Sequence, residues 1–323
     1  MSLPPVCQPA GEPASESVFE SACHPLPEGS QLDGYRIGRM LSRGGFSIVY
    51  MASDKVGTPL VVKEYLPMQL AKRAAGSLVP VVNPESVGMF NNGMRSFIEE
   101  ARLLAHIRHP NVVTVLDFAK ANSTAYIVMR YEQGRSLEAY LCGLRERKEA
   151  IRESFLRTVF VRLLSGLREV HSQKLLHLDL KPANIYLRDD VHPVLLDFGA
   201  ARWGLGLDDG SLAQIYTRGF AAPEQQGSGE EMGPWTDIYA IGATLYACLD
   251  AGKTPQSADL RMRNDELESA QRRWSGHYSQ QLLELIDWCM QLPVRARPQS
   301  VHALQKVLNG ELLDLVDPGW FQT

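Results

Sequence analysis

The chain has 323 residues, 45% of them hydrophobic, and a formal net charge of −4, enough for one large domain with a real core. Its 33 basic residues against 37 acidic ones leave no cationic excess to draw in nucleic acid. Cys7, Cys23, Cys142, Cys248 and Cys289 are scattered, odd in number and without C-x-x-C spacing, so neither a disulfide framework nor a zinc site is indicated. No charged-then-apolar leader and no run of 18 apolar residues is present, and a soluble cytoplasmic protein without a membrane span is expected.

Residues 1–33 read as a flexible tail. Pro4, Pro5, Pro9, Pro13, Pro25 and Pro27 alternate with Ser, Glu and Gly, a composition that buries too little apolar surface to fold alone. Ser15, Ser17, Ser21 and Ser30 are candidate phosphorylation or docking positions, against the plainer reading of an inert tail. Next comes a glycine turn at Gly44 and Gly45, flanked by Leu41, Ser42, Arg43, Phe46, Ser47, Ile48, Val49 and Tyr50, which taken alone reads as a β-hairpin. Leu60, Val61, Val62 and Lys63 form a buried strand ending in a lysine. The stretch 64–93 is too long for a simple connection, and structure of its own or a functional loop is expected there.

Residues 94–107 predict a helix. Met94, Phe97, Ile98, Ala101, Leu104 and Ala105 keep the three-and-four spacing of one face, and Glu99 and Glu100 lie on it. His109 and Pro110 end it. Residues 126–132 read as an apolar strand running into a polar hinge with Gly134. Ile151, Phe155, Val159, Leu163, Leu167 and Val170 share one face of a long helix, a stripe that reads as core. Trp235, Asp237 and the apolar residues to Leu249 suit a buried helix, since the run is too short to cross a bilayer. No internal repeat is evident, and residues 312–323 look like a short tail.

The chemistry concentrates at His177, Leu178, Asp179, Leu180, Lys181, Pro182, Ala183 and Asn184, followed by Asp197, Phe198 and Gly199. Strand-like runs at 185–187 and 194–196 frame this second acidic position. An Asp, a Lys and an Asn on one short loop, with a second Asp beyond it, can hold a hydroxyl, a γ-phosphate and Mg²⁺ together. A transferring phosphoryl group spreads negative charge over its oxygens and needs little covalent help, so positioning and well-placed cations carry the catalysis. Asp179 is suited to orient the acceptor hydroxyl, Lys181 to neutralise the γ-phosphate, and Asn184 and Asp197 to supply hard oxygen ligands for the metal.

On these motifs the chain resembles the protein kinase superfamily, in order over nearly all of residues 35 to about 310. It is similar to eukaryotic-like (Hanks-type) serine/threonine kinases of bacteria, some of which carry an insertion like that containing Glu64, Tyr65, Leu66, Pro67, Ala71, Arg73, Val79 and Pro80. The resemblance implies an α+β, two-lobed fold: an N-lobe at about 34–132 with an antiparallel sheet and one helix, and a larger helical C-lobe at about 133–311. It implies that Leu41, Gly44, Gly45, Phe46 and Val49 cover ATP and that Lys63 contacts its phosphates, with Glu100 as the partner of Lys63. Val61, Met129, Arg130, Glu132 and Tyr186 would line the base, Met129 as gatekeeper and Arg130 and Glu132 through their backbones. Ser42 and Ser47 stand where the family has its first and third glycines.

Thr217, Arg218, Gly219, Phe220, Ala221, Ala222, Pro223 and Glu224 resemble the end of an activation segment, with Arg297 as the late arginine that pairs with Glu224. Lys181 and Thr217 favour Ser or Thr acceptors over Tyr. ATP with Mg²⁺ or Mn²⁺ as cofactor, protein substrates, autophosphorylation and a cognate phosphatase follow from the same resemblance. Leu178 replaces the arginine that in the family gathers activation-segment phosphate, which implies that activity does not depend on phosphate at Ser211, Tyr216 or Thr217 through that contact. A pseudokinase would have lost one of Lys63, Glu100, Asp179, Asn184 and Asp197, and all are present. Small-molecule kinases share the D-x-x-x-x-N logic but lack Ala222, Pro223, Glu224 and Arg297.

Overall fold

The structure is a computed structural model that describes residues 23–198, 216–226 and 230–310. Gly199, Ser211, the serines before Cys23 and the tail 312–323 lie outside the described residues. The chain divides into two compact units, the first built from residues up to 109, 113–133 and Phe198, the second from 110–112, 134–197 and 216 onward.

The first unit is an antiparallel sheet of six strands in the order β1 (Gln31–Leu32), β2 (Tyr35–Arg43), β3 (Ser47–Ser53), β4 (Pro59–Tyr65), β8 (Thr124–Arg130), β7 (Val115–Ala121). Turn chemistry sets the hairpins. Asp33 and Gly34, both at positive φ, join β1 to β2, and Asn122 and Ser123, also both positive, join β7 to β8. Two central residues of this kind match the right-handed twist of the strands they connect. Strand β3 alternates, burying Ile48, Tyr50 and Ala52, whereas β4 is buried from Val62 to Tyr65 without a break. A strand buried at consecutive positions is covered on both faces.

One cover is α1 (Val87–Ala105), whose Phe90 and Phe97 rings lie 5.1 and 5.6 Å from the ring of Tyr65. It begins seven residues before the predicted start at Met94. Gly88, Asn91, Asn92 and Gly93 are weak helix formers that hide its first two turns in the sequence, and burial of Phe90 compensates. The stretch 64–93 therefore does contain structure of its own: the end of β4, a two-stranded ribbon of β5 (Ala71–Lys72) and β6 (Val81–Val82), and the start of α1. The other cover includes part of the expected tail. Cys23, Leu26 and Leu32 are buried, His24 N–H donates to the Arg73 carbonyl at 2.9 Å, and Leu26 N–H donates to Tyr50 Oη at 2.9 Å. Residues 23–33 thus belong to the folded unit, in contrast to the sequence reading of a flexible tail to residue 33. A few well-spaced apolar residues with backbone partners suffice to dock a proline-rich segment onto an existing sheet.

The second unit is mainly helical. Its helices are α2 (Leu137–Glu146), α3 (Glu153–Ser172), α4 (Pro234–Leu249), α5 (Ala258–Arg263), α6 (Ala270–Arg273), α7 (Gln280–Cys289) and α8 (Val301–Leu308). A small sheet of β9 (Gly134–Ser136), β10 (Ile185–Arg188) and β11 (Pro193–Leu195) runs in the order β11, β10, β9. Of the predicted stripe, Val159, Leu163, Leu167 and Val170 are buried on α3, Ile151 is buried but precedes the helix, and Phe155 is only half-buried. Helix α4 is buried from Thr236 to Leu249, and a Cβ at Gly242 would lie 2.6 Å from the Cβ of Cys289, so glycine is what lets α4 and α7 touch. Among the described residues no helix is long and apolar enough to cross a membrane.

Candidate active site

In the second unit the loop before β10 is held in a shape that its sequence would not choose alone. Leu178 there has φ 63°, and beyond β11 Asp197 has φ 53°, both in the left-handed region that costs a side-chain-bearing residue roughly 1–2 kcal/mol. Such residues persist where their surroundings over-determine them. Asp237, fully buried near the start of α4, accepts hydrogen bonds from the His177 and Leu178 amides, each 2.8 Å, while Gln225 Nε2 donates to the Leu178 carbonyl at 2.9 Å. Burial opposes the charge on Asp237, but the His171 ring nitrogen at 2.8 Å and the loop amides outweigh it and hold its carboxyl below the ordinary value. Burial pushes the His177 imidazole the other way from charge, below its usual value. Its neutral form fits both contacts: Nε2–H donates to the Leu196 carbonyl at 2.9 Å and Nδ1 accepts the Asp179 amide at 3.4 Å.

That frame presents Asp179. Its Oδ1 accepts from Thr217 Oγ1 at 2.7 Å, its Oδ2 from Asn184 Nδ2 at 2.8 Å, and Lys181 Nζ lies 3.0 Å from Oδ2 and 2.8 Å from Thr217 Oγ1. Asn184 Nδ2 also donates to the Asp179 carbonyl at 2.8 Å and sits 3.5 Å from the Asp197 carbonyl, and the Leu196 amide donates to the Asn184 carbonyl at 2.9 Å. With both amide hydrogens of Asn184 spent on backbone and Asp179, the side-chain oxygen is the end of Asn184 suited to accept. Two hard oxygen donors are too few to make a cage. Among the described residues no group of three His, Cys, Asp or Glu side chains could hold a metal alone. Oxygen donors of this kind are those a small divalent cation takes alongside phosphate and water.

In the first unit, strand register puts Val49, Val61, Lys63 and Met129 on one face: Val49 pairs with Lys63 and Val61 with Met129. Lys63 is 7% exposed with Nζ 5.6 Å from the centre of the Phe97 ring, and Glu100, one turn beyond Phe97 on α1, is 5% exposed. Gly44, Gly45 and Phe46 form the β2–β3 turn, closed by the Gly44 amide donating to the Ser47 carbonyl at 2.9 Å. Leu41 falls at a register shift between Met40 and Ser42. Arg130 ends β8, with its amide donated to the Thr114 carbonyl, and Glu132 follows half-buried. Tyr186 belongs to the other unit, on β10 between Val194 and Ser136.

The late arginine is also where the motif puts it. Arg297 meets Glu224 through two bonds of 2.8 and 3.0 Å, both side chains fully buried, and Glu224 accepts further from Thr236 Oγ1 at 2.8 Å. A sequence model of the protein kinase domain matches residues 35–308. The chain belongs to the protein kinase family. This kinase domain is 28% identical to serine/threonine-protein kinase B of Synechocystis sp. over 93% of its length, covering 50% of that relative, and 28% identical to serine/threonine-protein kinase PknA of Nostoc sp., covering 85% of this chain and 46% of that one. It therefore spans about half the length of these relatives. Among solved structures the apo form of PpkA-294 is 34% identical, with TM-score 0.77 over 88% of this chain and 99% of that one. The Mycobacterium tuberculosis PknI kinase domain, at 19% identity and TM-score 0.66 over 89% of this chain and 100% of that one, shares the two-lobed fold.

Sequence reasoning missed the roles of four side chains near these sites. Gln225 and His171 brace the loop and its Asp237, and Tyr50 and Arg73 surround Glu64. Gln225 adjoins Glu224, but nothing in a glutamine's identity announces a carbonyl partner. Glu64 carried a signal: as the neighbour of Lys63 on a strand it must face the opposite side of the sheet, where a carboxylate needs a partner.

Proposed function

We propose that this domain transfers the γ-phosphate of ATP to Ser or Thr hydroxyls of proteins, itself included. The observation that carries the reading is the Asp179 carboxylate, held at once by Lys181, Thr217 and Asn184. Asp179 orients the acceptor hydroxyl and takes its proton as the bond to phosphorus forms and the bond to the β-phosphate oxygen breaks. Lys181, 3.0 Å from Asp179, offsets the charge that grows on the phosphoryl oxygens. Thr217 fixes both, and its place beside the base favours a Ser or Thr acceptor. Lys63 contacts the ATP phosphates and is kept in position by Glu100; Gly44, Gly45 and Phe46 cover them, while Val61, Met129, Arg130, Glu132 and Tyr186 take the base. Asn184 and Asp197 would hold Mg²⁺ or Mn²⁺, which would neutralise phosphate charge.

The product is a phosphate monoester, among the slowest of biological bonds to hydrolyse unaided, so reversal calls for a cognate phosphatase. Use of ATP places the action in the cytoplasm, and the acidic net charge gives nucleic acid no role. The test is incorporation of labelled γ-phosphate into the chain and into a generic protein substrate with each metal, followed by phosphoamino-acid analysis. Label on Ser and Thr, abolished in Asp179→Asn, is expected; no transfer by the wild type, or label on Tyr, refutes the reading.

A further inference from the structure

The β3–β4 ladder does not stop at Tyr65, its last paired residue opposite Ser47. Leu66 N–H donates to the Phe46 carbonyl at 2.9 Å, and Met68 N–H donates to the Gly45 carbonyl at 3.0 Å. Both acceptors lie in the turn between β2 and β3, at the tip of the glycine loop. The chain then folds back at once, with the Pro67 carbonyl taking the Leu70 and Ala71 amides, each 2.9 Å, before β5 pairs with β6. What anchors this fold-back is Arg73. Its guanidinium makes a two-pronged ion pair with Glu64, Nη1 to Oε2 at 2.8 Å and Nη2 to Oε1, with both side chains fully buried. Tyr50 Oη donates to the same Glu64 Oε2 at 2.8 Å. The pair lies on the face of β4 opposite Lys63.

We propose that residues 66–73 are a positioning strut for the phosphate-covering loop: the Leu66 and Met68 amides pin the Phe46 and Gly45 carbonyls, and the Arg73–Glu64 pair pins the strut. The inference rests on the reading that this loop covers ATP. A loop with free carbonyls samples many shapes and pays to order around phosphates; one whose tip carbonyls are already bonded pays less. The device also suits a turn with Ser42 and Ser47 at the family's outer glycine positions. Arg73 and Met68 touch no substrate atom in this account and act through the loop.

Met68→Pro tests it. Proline removes the amide, and its fixed φ suits the second position of the turn closed by the Leu70 amide on the Pro67 carbonyl. Since the strut acts on the phosphate end, calorimetry with Mg²⁺–ATP and with adenosine separates it from general loosening. The expected result is about a tenfold rise in the Kd and KM for ATP, with adenosine affinity within about twofold and kcat within about threefold. Equal losses for ATP and adenosine, or no loss for ATP, overturn the strut while leaving the kinase reading standing. A wild-type chain that binds no ATP overturns that reading and the strut with it. If Met68→Pro does not fold, hydrogen exchange on the wild type decides: Leu66 and Met68 amides exchanging as slowly as those of β4 support the strut, and exchange at open-loop rates overturns it.

Discussion

Asp237→Asn takes away the brace of the loop that carries Asp179 without changing its size. Asp237 Oδ2 accepts the His177 amide and the His171 ring, and Oδ1 accepts the Leu178 amide, all at 2.8 Å in a site closed to water. An asparagine has one acceptor oxygen. The least costly orientation keeps it at the two-donor position and turns NH₂ toward the Leu178 amide, leaving a buried donor facing a donor. A hydrogen bond to a charged group contributes about 1.5–3 kcal/mol, and the two remaining bonds weaken as the charge goes, so a loss of roughly 3 kcal/mol is expected in urea unfolding. Leu178, freed from one of the bonds that hold it at φ 63°, relaxes and moves Asp179; misplacement of about 1 Å lowers kcat by up to about a hundredfold. The pH profile adds a second signature. The Asp237 carboxyl lies below its ordinary value of about 3.9, so its contribution is present above that pH and fades as pH falls through the folded value. His177, pushed below about 6.5 by burial, remains neutral while the unfolded chain takes up a proton, so stability declines below that pH in wild type and variant alike. Asp237→Asn therefore keeps the decline that starts near pH 6.5 and loses only the Asp237 share of the decline below pH 4, since Glu153 and Asp265, also held below their ordinary values, still contribute. A variant within 1 kcal/mol of wild type, with kcat changed less than about threefold, refutes the bracing role.

Arg297→Met strands Glu224 in a site where both side chains are fully buried, and a loss of about 3–5 kcal/mol is expected in denaturant titration; adding Glu224→Gln should recover part of it, and strict additivity would contradict the pairing. Thr217→Val removes the hydroxyl that bridges Asp179 and Lys181, and kcat should fall about tenfold or more with the ATP KM little changed, while Thr217→Ser retains most activity; equal rates in both variants would rule out the bridge. Because Leu178 cannot gather phosphate, phosphatase-treated protein should keep its initial rate, and a loss restored by rephosphorylation would show that another cation does the gathering.

The candidate site residues were legible because their chemistry restricts residue type and spacing together: Asp179, Lys181 and Asn184 lie within six residues of one another, and Thr217 and Arg297 meet the partners their motifs implied. The core face of α3 was legible from periodicity and several strands from their apolar runs, whereas the antiparallel pairing of the sheet followed only from the family resemblance. The strut was not. Arg73 finds Glu64 only because the chain reverses at Pro67, and two long polar side chains at zero exposure look like surface residues in a sequence. The docking of residues 23–33 was hidden for the opposite reason, since proline-rich composition outweighs three apolar residues until the sheet that receives them is known.

The most direct test of phosphoryl transfer through Asp179, Asn184 and Asp197 is a single-turnover measurement of γ-phosphate transfer to a serine-containing substrate, with nucleotide affinity recorded alongside. Asp179→Asn is expected to bind Mg²⁺–ATP as the wild type does and to lose about 10²–10⁴ in rate, whereas Asp197→Ala loses the metal-dependent part of ATP affinity as well. Transfer at the wild-type rate by either variant would contradict the account.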